Sequence, residues 1–93
     1  MESALVIIPT YNEIENISSI IEAVLSQGTE FEVLVVDDNS PDGTGELVKV
    51  LSKENPKIRL LQRSGKLGLG TAYIAGFRYG VLHGFDYLIE MDA

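Results

Sequence analysis

Two adjacent carboxylates, Asp37 and Asp38, follow the apolar run 31–36 and are the first candidates for chemistry in this sequence. A carboxylate at such a position accepts hydrogen bonds from the ring N–H and amino groups of a base; guanine offers two such donors and uracil one. Tyr11, in a separate polar segment, can form an aromatic wall beside a base. The alternative interpretation is structural: one aspartate caps a helix or faces solvent, and Tyr11 packs against the protein.

Charge is distributed unevenly along the chain. The 93 residues include 14 acids and 7 bases, which gives a formal net charge of −7. Residues 1–48 contain ten of the acids and none of the bases. A general nucleic-acid surface is not expected, because such binding requires a net basic face. The phosphates of a ligand would have to be met by a metal, by backbone N–H groups, or by the region of Arg63 and Lys66.

Several classes of site are absent from the sequence. The chain has no cysteine, and therefore no disulfide, thiolate zinc site or cysteine nucleophile. Neither a Gly-x-Gly-x-x-Gly fingerprint after the first apolar run nor a Walker phosphate loop occurs. The single histidine, His83, stands at a predicted helix end, so a serine-hydrolase triad is not expected. The longest apolar run, 4–8, is far shorter than the roughly 18 residues of a membrane span.

Hydrophobic patterning predicts alternating strands and helices. Continuous apolar runs are typical of strands that are buried on both faces, and apolar residues at intervals of three and four indicate helices. The predicted strands are 4–8, 31–36, 58–61 and 87–91, and the predicted helices are 12–27, 40–54 and 71–83.

Local signals indicate where the helices begin and how the last one packs. Asn12 and Glu15 have the spacing of a capping box at the start of the first helix. Ser40 is placed to cap the second helix, with Pro41 at its first position. In the third helix, small residues recur every fourth position: Ala72, Gly76 and Gly80. Glycine is unfavourable inside a helix, so this spacing predicts close packing against the sheet.

The order β-α-β-α-β-α-β with short connections predicts an α/β fold with a parallel sheet and right-handed crossovers. In such folds ligands bind beyond the carboxyl ends of the strands, where the strand order reverses. The segments at those ends, which form the candidate site, are 9–13, 37–43, 63–70 and 92–93.

These strand-end segments together resemble one family, the dolichyl-phosphate (polyprenyl-phosphate) mannosyltransferases, which are inverting family-two glycosyltransferases with the GT-A fold. The matching segments are Pro-Thr-Tyr-Asn-Glu at 9–13, Val-Val-Asp-Asp-Asn-Ser-Pro-Asp-Gly-Thr at 35–44, Lys-Leu-Gly-Leu-Gly-Thr-Ala-Tyr at 66–73 and Met-Asp-Ala at 91–93. The resemblance spans nearly all of residues 1–93. It implies the N-terminal, Rossmann-like half of a GT-A domain, which binds a nucleotide sugar and ends inside an Asp-x-Asp motif.

The resemblance also implies which residues bind the donor, although it assigns no catalytic residue. Within this set, Val36 would lie against the base, Asp38 would accept its ring hydrogen bonds, and Asp92 would bind Mg²⁺ or Mn²⁺. The full set of implied donor-binding residues is Pro9, Tyr11, Glu13, Val36, Asp38, Asp92 and Ala93.

The activity that the resemblance implies is transfer of mannose from GDP-mannose to a polyprenyl phosphate, with the isolated segment itself inactive. UDP-glucose is the near alternative, since either base fits an acceptor at Asp38. A lipid acceptor implies peripheral contact with the cytoplasmic face of a membrane. A receiver-like signalling module is a further alternative, but it would need acidic residues where this chain has Pro9 and Thr10.

The fourth strand is expected to lie at an edge of the sheet in this chain. The resemblance places it in the interior of a longer protein, so residues 87–91 would expose unpaired backbone groups here. Such an edge is a template for pairing with another chain. Self-association is therefore expected.

Overall fold

A computed structural model describes residues 2–65 and 68–93 of the chain. Strands and helices alternate along these residues, which confirms the predicted β-α-β-α-β-α-β order. The elements are β1 (Ala4–Thr10), α1 (Ile17–Leu25), β2 (Phe31–Asp37), α2 (Thr44–Glu54), β3 (Ile58–Gln62), α3 (Leu69–Leu82) and β4 (Tyr87–Glu90).

The sheet is parallel, with the strand order β3-β2-β1-β4. The chain adds β2 and β3 on one side of β1 and then crosses to place β4 on the other side. Ile7 is thus opposite Leu34 on one neighbour and Glu90 on the other. This reversal of strand order beside β1 is the topological switch point at which α/β proteins bind ligands.

Helices cover the sheet on both faces. Successive residues of a strand point to opposite faces, so Val6 and Ile8 pack toward α1 and α2 whereas Leu5 and Ile7 pack toward α3. All four of these side chains are at most 3% exposed. Burial on both faces is the reason that the strands read as continuous apolar runs.

Strand β1 is longer than predicted, because Pro9 does not end it. Pro9 pairs in register with Val36 of β2, and the strand continues to Thr10. On the β4 side the ladder ends where Met91 N–H donates to the Ile7 carbonyl oxygen at 3.0 Å. The backbone nitrogen of Pro9, two residues later, faces the β4 side as well. Because the β1–β4 ladder has already ended there, the missing N–H of Pro9 removes no ladder bond.

Both predicted helix caps are wrong. Helix α1 begins at Ile17, and Asn12 lies before it in a left-handed conformation with φ 58°. Helix α2 begins at Thr44 after Gly43, and the Ser40 side chain is turned toward Asp37 instead. The Ser40 hydroxyl also accepts from the Asn12 backbone N–H, and neither side chain makes a capping hydrogen bond to its own helix.

Helix α3 packs closely on the sheet through its small residues, as predicted. Ala72, Gly76 and Gly80 are the buried residues of this helix. A Cβ atom on Gly76 would collide with Cγ2 of Ile7, and one on Gly80 with Cδ2 of Leu88. Around Gly70, in the first turn of the same helix, no described atom beyond its chain neighbours and its own helix backbone lies within 4 Å of that position.

We expect Gly76→Ala to lower the free energy of unfolding by about 1–3 kcal/mol, because the core side chain of Ile7 must shift to accept the added methyl group. The matched variant Gly70→Ala should be neutral or stabilise by up to about 1 kcal/mol through helix propensity. Urea unfolding of both variants and the parent measures the difference. Equal stability of the two variants would contradict close packing of α3 on β1.

Candidate functional site

The carboxyl ends of β1 and β2 meet the first turn of α3 around a small cavity. The backbone N–H of Asp38 donates to the Thr10 carbonyl oxygen at 3.1 Å, which holds the two strand ends together. The cavity has a volume of about 110 Å³. Its lining residues are Pro9, Thr10, Tyr11, Asp38, Gly68, Leu69 and Ala72. Three of the predicted donor-binding residues, Pro9, Tyr11 and Asp38, therefore line one site.

The adjacent aspartates have different roles. Asp37 is 1% exposed and accepts hydrogen bonds from the Thr10 hydroxyl at 2.7 Å, the Ser40 hydroxyl at 2.6 Å and the Ser40 backbone N–H at 3.0 Å. Three donors satisfy this buried carboxylate, so it joins the ends of β1 and β2. The structural interpretation of the aspartate pair is thus right for Asp37, whereas Asp38 faces the cavity.

Arg63, which follows β3, binds Asp38 through two parallel hydrogen bonds. Its Nε atom lies 2.6 Å from Oδ1 of Asp38, and its Nη2 atom lies 2.8 Å from Oδ2. The same guanidinium donates to the Thr71 hydroxyl at 2.9 Å and to the Gly68 carbonyl oxygen at 3.2 Å. The structure therefore pairs Arg63 with the predicted base-binding carboxylate, whereas the sequence suggested a place beside phosphates. Lys66, its predicted companion, lies outside the described residues.

The loop between β1 and α1 is held by side chains from the start of α2. Asn12 N–H donates to the Ser40 hydroxyl at 2.9 Å, Glu13 N–H to the Thr44 hydroxyl at 3.0 Å, and Ile14 N–H to the Asp42 carboxylate at 3.1 Å. Three consecutive backbone donors are thus used inside the protein. The loop that carries Tyr11 is fixed relative to the end of β2.

Four of the seven predicted donor-binding residues do not line the cavity: Glu13, Val36, Asp92 and Ala93. Val36 is 0% exposed and packs in the part of the core beneath α3. Glu13 is half-buried, and its carboxylate accepts a 3.4 Å hydrogen bond from the Asn16 side-chain amide. Val36 thus packs β2 against α3, and Glu13 belongs to the loop between β1 and α1.

Asp92 and Ala93 follow β4 and are exposed. The Tyr73 hydroxyl donates to Oδ1 of Asp92 at 2.6 Å, which orients that carboxylate. Desolvation by burial, together with this hydrogen bond, raises the pKa of Tyr73 to about 12, so Tyr73 stays a donor at neutral pH.

Asp92 is the metal ligand that the sequence predicts. Within residues 2–65 and 68–93, no group of three or more His, Cys, Asp or Glu side chains is placed to hold a metal ion. Mg²⁺ is commonly held by one or two carboxylates together with substrate phosphates. Asp92, exposed at a strand end, fits the role of one such ligand.

Sequence reasoning missed the residues that build the site without lining it. Ser40 and Thr44 were considered only as helix-associated residues or as part of a motif, yet their hydroxyls accept backbone hydrogen bonds from the loop after β1. Thr71, which contacts Arg63, was likewise unassigned. The usable signal was the density of Ser, Thr, Asp and Asn after a buried strand, since these side chains readily satisfy nearby backbone groups.

The fold and the strand-end site define a Rossmann-like α/β protein of the GT-A type, as predicted. The family model described as "Glycosyl transferase family 2" matches residues 5–93. The chain belongs to this family. Membership decides against the receiver-like signalling module.

Two curated relatives agree with the predicted branch of the family. The chain is 52% identical over 89 residues to an undecaprenyl-phosphate mannosyltransferase of Micrococcus luteus, covering 96% of the chain and 37% of the relative. It is 47% identical over 93 residues to a polyprenol monophosphomannose synthase of Mycolicibacterium smegmatis, covering 99% of the chain and 35% of the relative. The chain thus spans little more than a third of the length of these relatives.

A solved structure shares the fold. The mannosyltransferase PcManGT from Pyrobaculum calidifontis, in complex with GDP-Man and Mn²⁺, matches with a TM-score of 0.68 and 28% sequence identity. The match covers 82% of this chain and 24% of that one.

The pH dependence of stability should depend in part on Asp42. Desolvation opposes ionisation of this carboxyl, but hydrogen bonds from Thr44 and from Ile14 N–H outweigh it and lower the pKa of Asp42 below its ordinary value of 3.8. A lowered folded-state pKa adds stability that is complete above the unfolded value and lost as the pH falls through the folded one. Asp42→Asn should therefore be less stable than the parent at neutral pH, with the difference shrinking below about pH 4.

Thermal melts of the parent and Asp42→Asn between pH 3 and pH 7 measure this difference. Glu22→Gln, which removes an exposed carboxylate on α1, is the control. A stability difference between the parent and Asp42→Asn that is constant with pH would argue against an ionised, hydrogen-bonded Asp42.

Proposed function

We propose that this chain is the donor-binding part of a polyprenyl-phosphate mannosyltransferase, which moves mannose from GDP-mannose to a polyprenyl phosphate with inversion. The observation that carries the proposal is Asp38, a residue only 6% exposed that borders the cavity at the carboxyl ends of β1 and β2. The names of the two curated relatives and the GDP-Man in the solved mannosyltransferase support the substrate class.

Asp38 is suited to read the edge of a guanine base. Its two oxygens can accept from the ring N–H and the amino group of guanine, which are parallel donors on two nitrogens bonded to the same carbon. Pro9 and Tyr11 line the same cavity and contact the nucleoside. Glu13 and Val36 contribute by holding the loop and the strand on which those residues stand.

The diphosphate of the donor lies toward β4, where Asp92 and Ala93 follow the strand. Asp92, oriented by the Tyr73 hydroxyl, serves as one ligand of Mg²⁺ or Mn²⁺. When bound, the metal neutralises negative charge on the leaving diphosphate. The acceptor phosphate is already anionic near neutral pH, so its attack on the sugar needs no strong general base.

Because the acceptor is a lipid, the reaction takes place at a membrane surface. We propose peripheral contact with the cytoplasmic face of the membrane. In the part of the chain that the structure describes, no helix combines the length and the apolar character of a membrane span. The segment by itself holds the donor, and sugar transfer is expected only from the longer protein.

Titration with GDP tests the proposal. Asp38→Asn should weaken GDP binding by about 1.5–3 kcal/mol, or roughly 10- to 150-fold, because one acceptor atom becomes a donor that faces the donors of the base. Asp86→Asn, which removes a carboxylate at the other end of the sheet, should leave the affinity unchanged. Calorimetry with and without Mn²⁺ measures both, and melting curves confirm that each variant is folded.

Two results would count against this function. Tighter binding of UDP than of GDP would favour the UDP-glucose alternative, in which one ring N–H meets Asp38. Affinity of Asp38→Asn within a factor of two of the parent would remove Asp38 from base recognition.

The exposed strand β4 gives the chain a route to self-association. It pairs with β1 on one side only, and Tyr87 and Ile89 are 52% and 38% exposed. The average mass from light scattering should therefore rise with protein concentration. Ile89→Lys, which puts a charge on this edge strand, should reduce the rise. Val50→Lys, an exposed position on α2, is the control, and a concentration-independent monomer mass for the parent would contradict pairing.

A further inference from the structure

The carboxylate proposed to read the base already holds a ligand from its own chain. The side chains of Arg63 and Asp38 are 12% and 9% exposed, so the pair is largely removed from water. Each Asp38 oxygen accepts one N–H of the guanidinium, from Nε and from Nη2. Both acceptors that a base would use are therefore engaged.

The guanidinium presents to Asp38 the same donor pattern as guanine. Nε–H and Nη2–H are parallel donors on a rigid planar group, spaced to match the two oxygens of a carboxylate. The ring N–H and amino group of guanine form an equivalent planar fork. Two such forks cannot occupy one pair of carboxylate oxygens in the same plane, so base and guanidinium compete.

Arg63 also holds a wall of the cavity in place. Its remaining contacts are with the Gly68 carbonyl oxygen and the Thr71 hydroxyl, at the beginning of α3. Gly68 and Leu69 line the cavity, whose volume of about 110 Å³ is well below the roughly 300 Å³ at which ligand pockets begin. The Arg63 side chain thus occupies the Asp38 carboxylate and also holds in place the residues at the start of α3 that limit the cavity.

We propose that Arg63 is an internal substitute for the guanine base, and that the base displaces it from Asp38 on binding. The proposal rests on the assignment of Asp38 to base recognition made above. Exchange leaves Asp38 with two hydrogen bonds from the neutral base in place of the two from the guanidinium, so both of its oxygens keep a donor. It also frees Gly68 and Thr71 from their link to Arg63, which lets the cavity widen.

The exchange also predicts which bases bind. A base with one donor replaces only half of the fork and leaves one Asp38 oxygen without its partner. GMP should therefore bind about tenfold or more tightly than IMP, whose base lacks the amino group, since hydrogen bonds to charged groups are strong.

Nuclear magnetic resonance of the Arg63 Nε–H group follows the displacement directly in the parent protein. The signal is assigned by its absence in Arg63→Lys. We expect GMP to shift it away from its carboxylate-bound position, and ribose 5-phosphate, which has the phosphate without a base, to leave it in place. Displacement by ribose 5-phosphate alone would overturn base exchange, and so would binding of GMP with the Arg63 signal unmoved.

Arg63→Lys gives an independent measurement. Lysine keeps the charge but lacks the two-pronged fork, so it competes less well for Asp38, and GMP affinity should rise about fivefold or more. Arg59→Lys is the matched control. Arg59 lies on β3, does not line the cavity, and pairs with Glu32 at an Nε to Oε1 distance of 3.0 Å. Unchanged or weaker GMP binding by a folded Arg63→Lys would show that Arg63 only supports the site.

The two proposals fail in different ways. If GMP binds the parent while the Arg63 signal stays in place, the base-exchange proposal is wrong and the donor-binding function stands. If neither GMP nor GDP binds, both are wrong. If Arg63→Lys does not fold, the resonance measurement on the parent decides alone.

Discussion

The buried carboxylate of Asp37 is the constraint on which the site depends. A charged group that is removed from water must be fully hydrogen-bonded, and Asp37 takes its donors from the end of β1 and from the turn after β2. Satisfying it therefore forces those two segments together. The Asp38 carboxylate, one residue later, is directed toward the cavity between them.

The same region shows how neighbouring residues of one type acquire different roles. Asp37 binds neutral donors from the end of β1 and from the turn after β2, whereas Asp38 binds a cation from the end of β3. The first arrangement is closed on every side, and the second borders a cavity. The contact that we propose is exchanged thus stands beside the buried hydrogen bonds of Asp37, which hold its carboxylate in position.

Much of the fold could be predicted because its dominant signal is local. Strands with both faces buried are apolar at successive positions. The glycines that recur at every fourth position in α3 reflect its close contact with Ile7 and Leu88. The helix starts could not be predicted in the same way. Asn12 and Ser40 have good capping chemistry, but Asn12 lies in a left-handed turn before α1, and the Ser40 hydroxyl binds Asp37 and the backbone N–H of Asn12, 28 residues away.

The candidate site was predicted in its position but not in its internal connections. Parallel topology alone brings Pro9, Tyr11 and Asp38 to the same edge of the sheet. Which aspartate is buried depends on the direction of each side chain at the end of β2, and the partner of Asp38 depends on where β3 ends. Neither property produces a periodic pattern in the sequence. The contacts of Asp37 and Arg63 could therefore be identified only from the structure.

The position of β1 has a consequence for the order in which the chain can fold. Of the four described strands, β1 is made before the others and lies inside the sheet, yet its two neighbours are made at very different times. Phe31–Asp37 follows soon after it, whereas Tyr87–Glu90 pairs with residues more than 80 positions earlier. During synthesis β1 therefore has one paired side and one open side until most of the described segment has emerged. An apolar strand with an open side is prone to wrong pairing, so the late arrival of β4 is the step at which this fold is most exposed to aggregation.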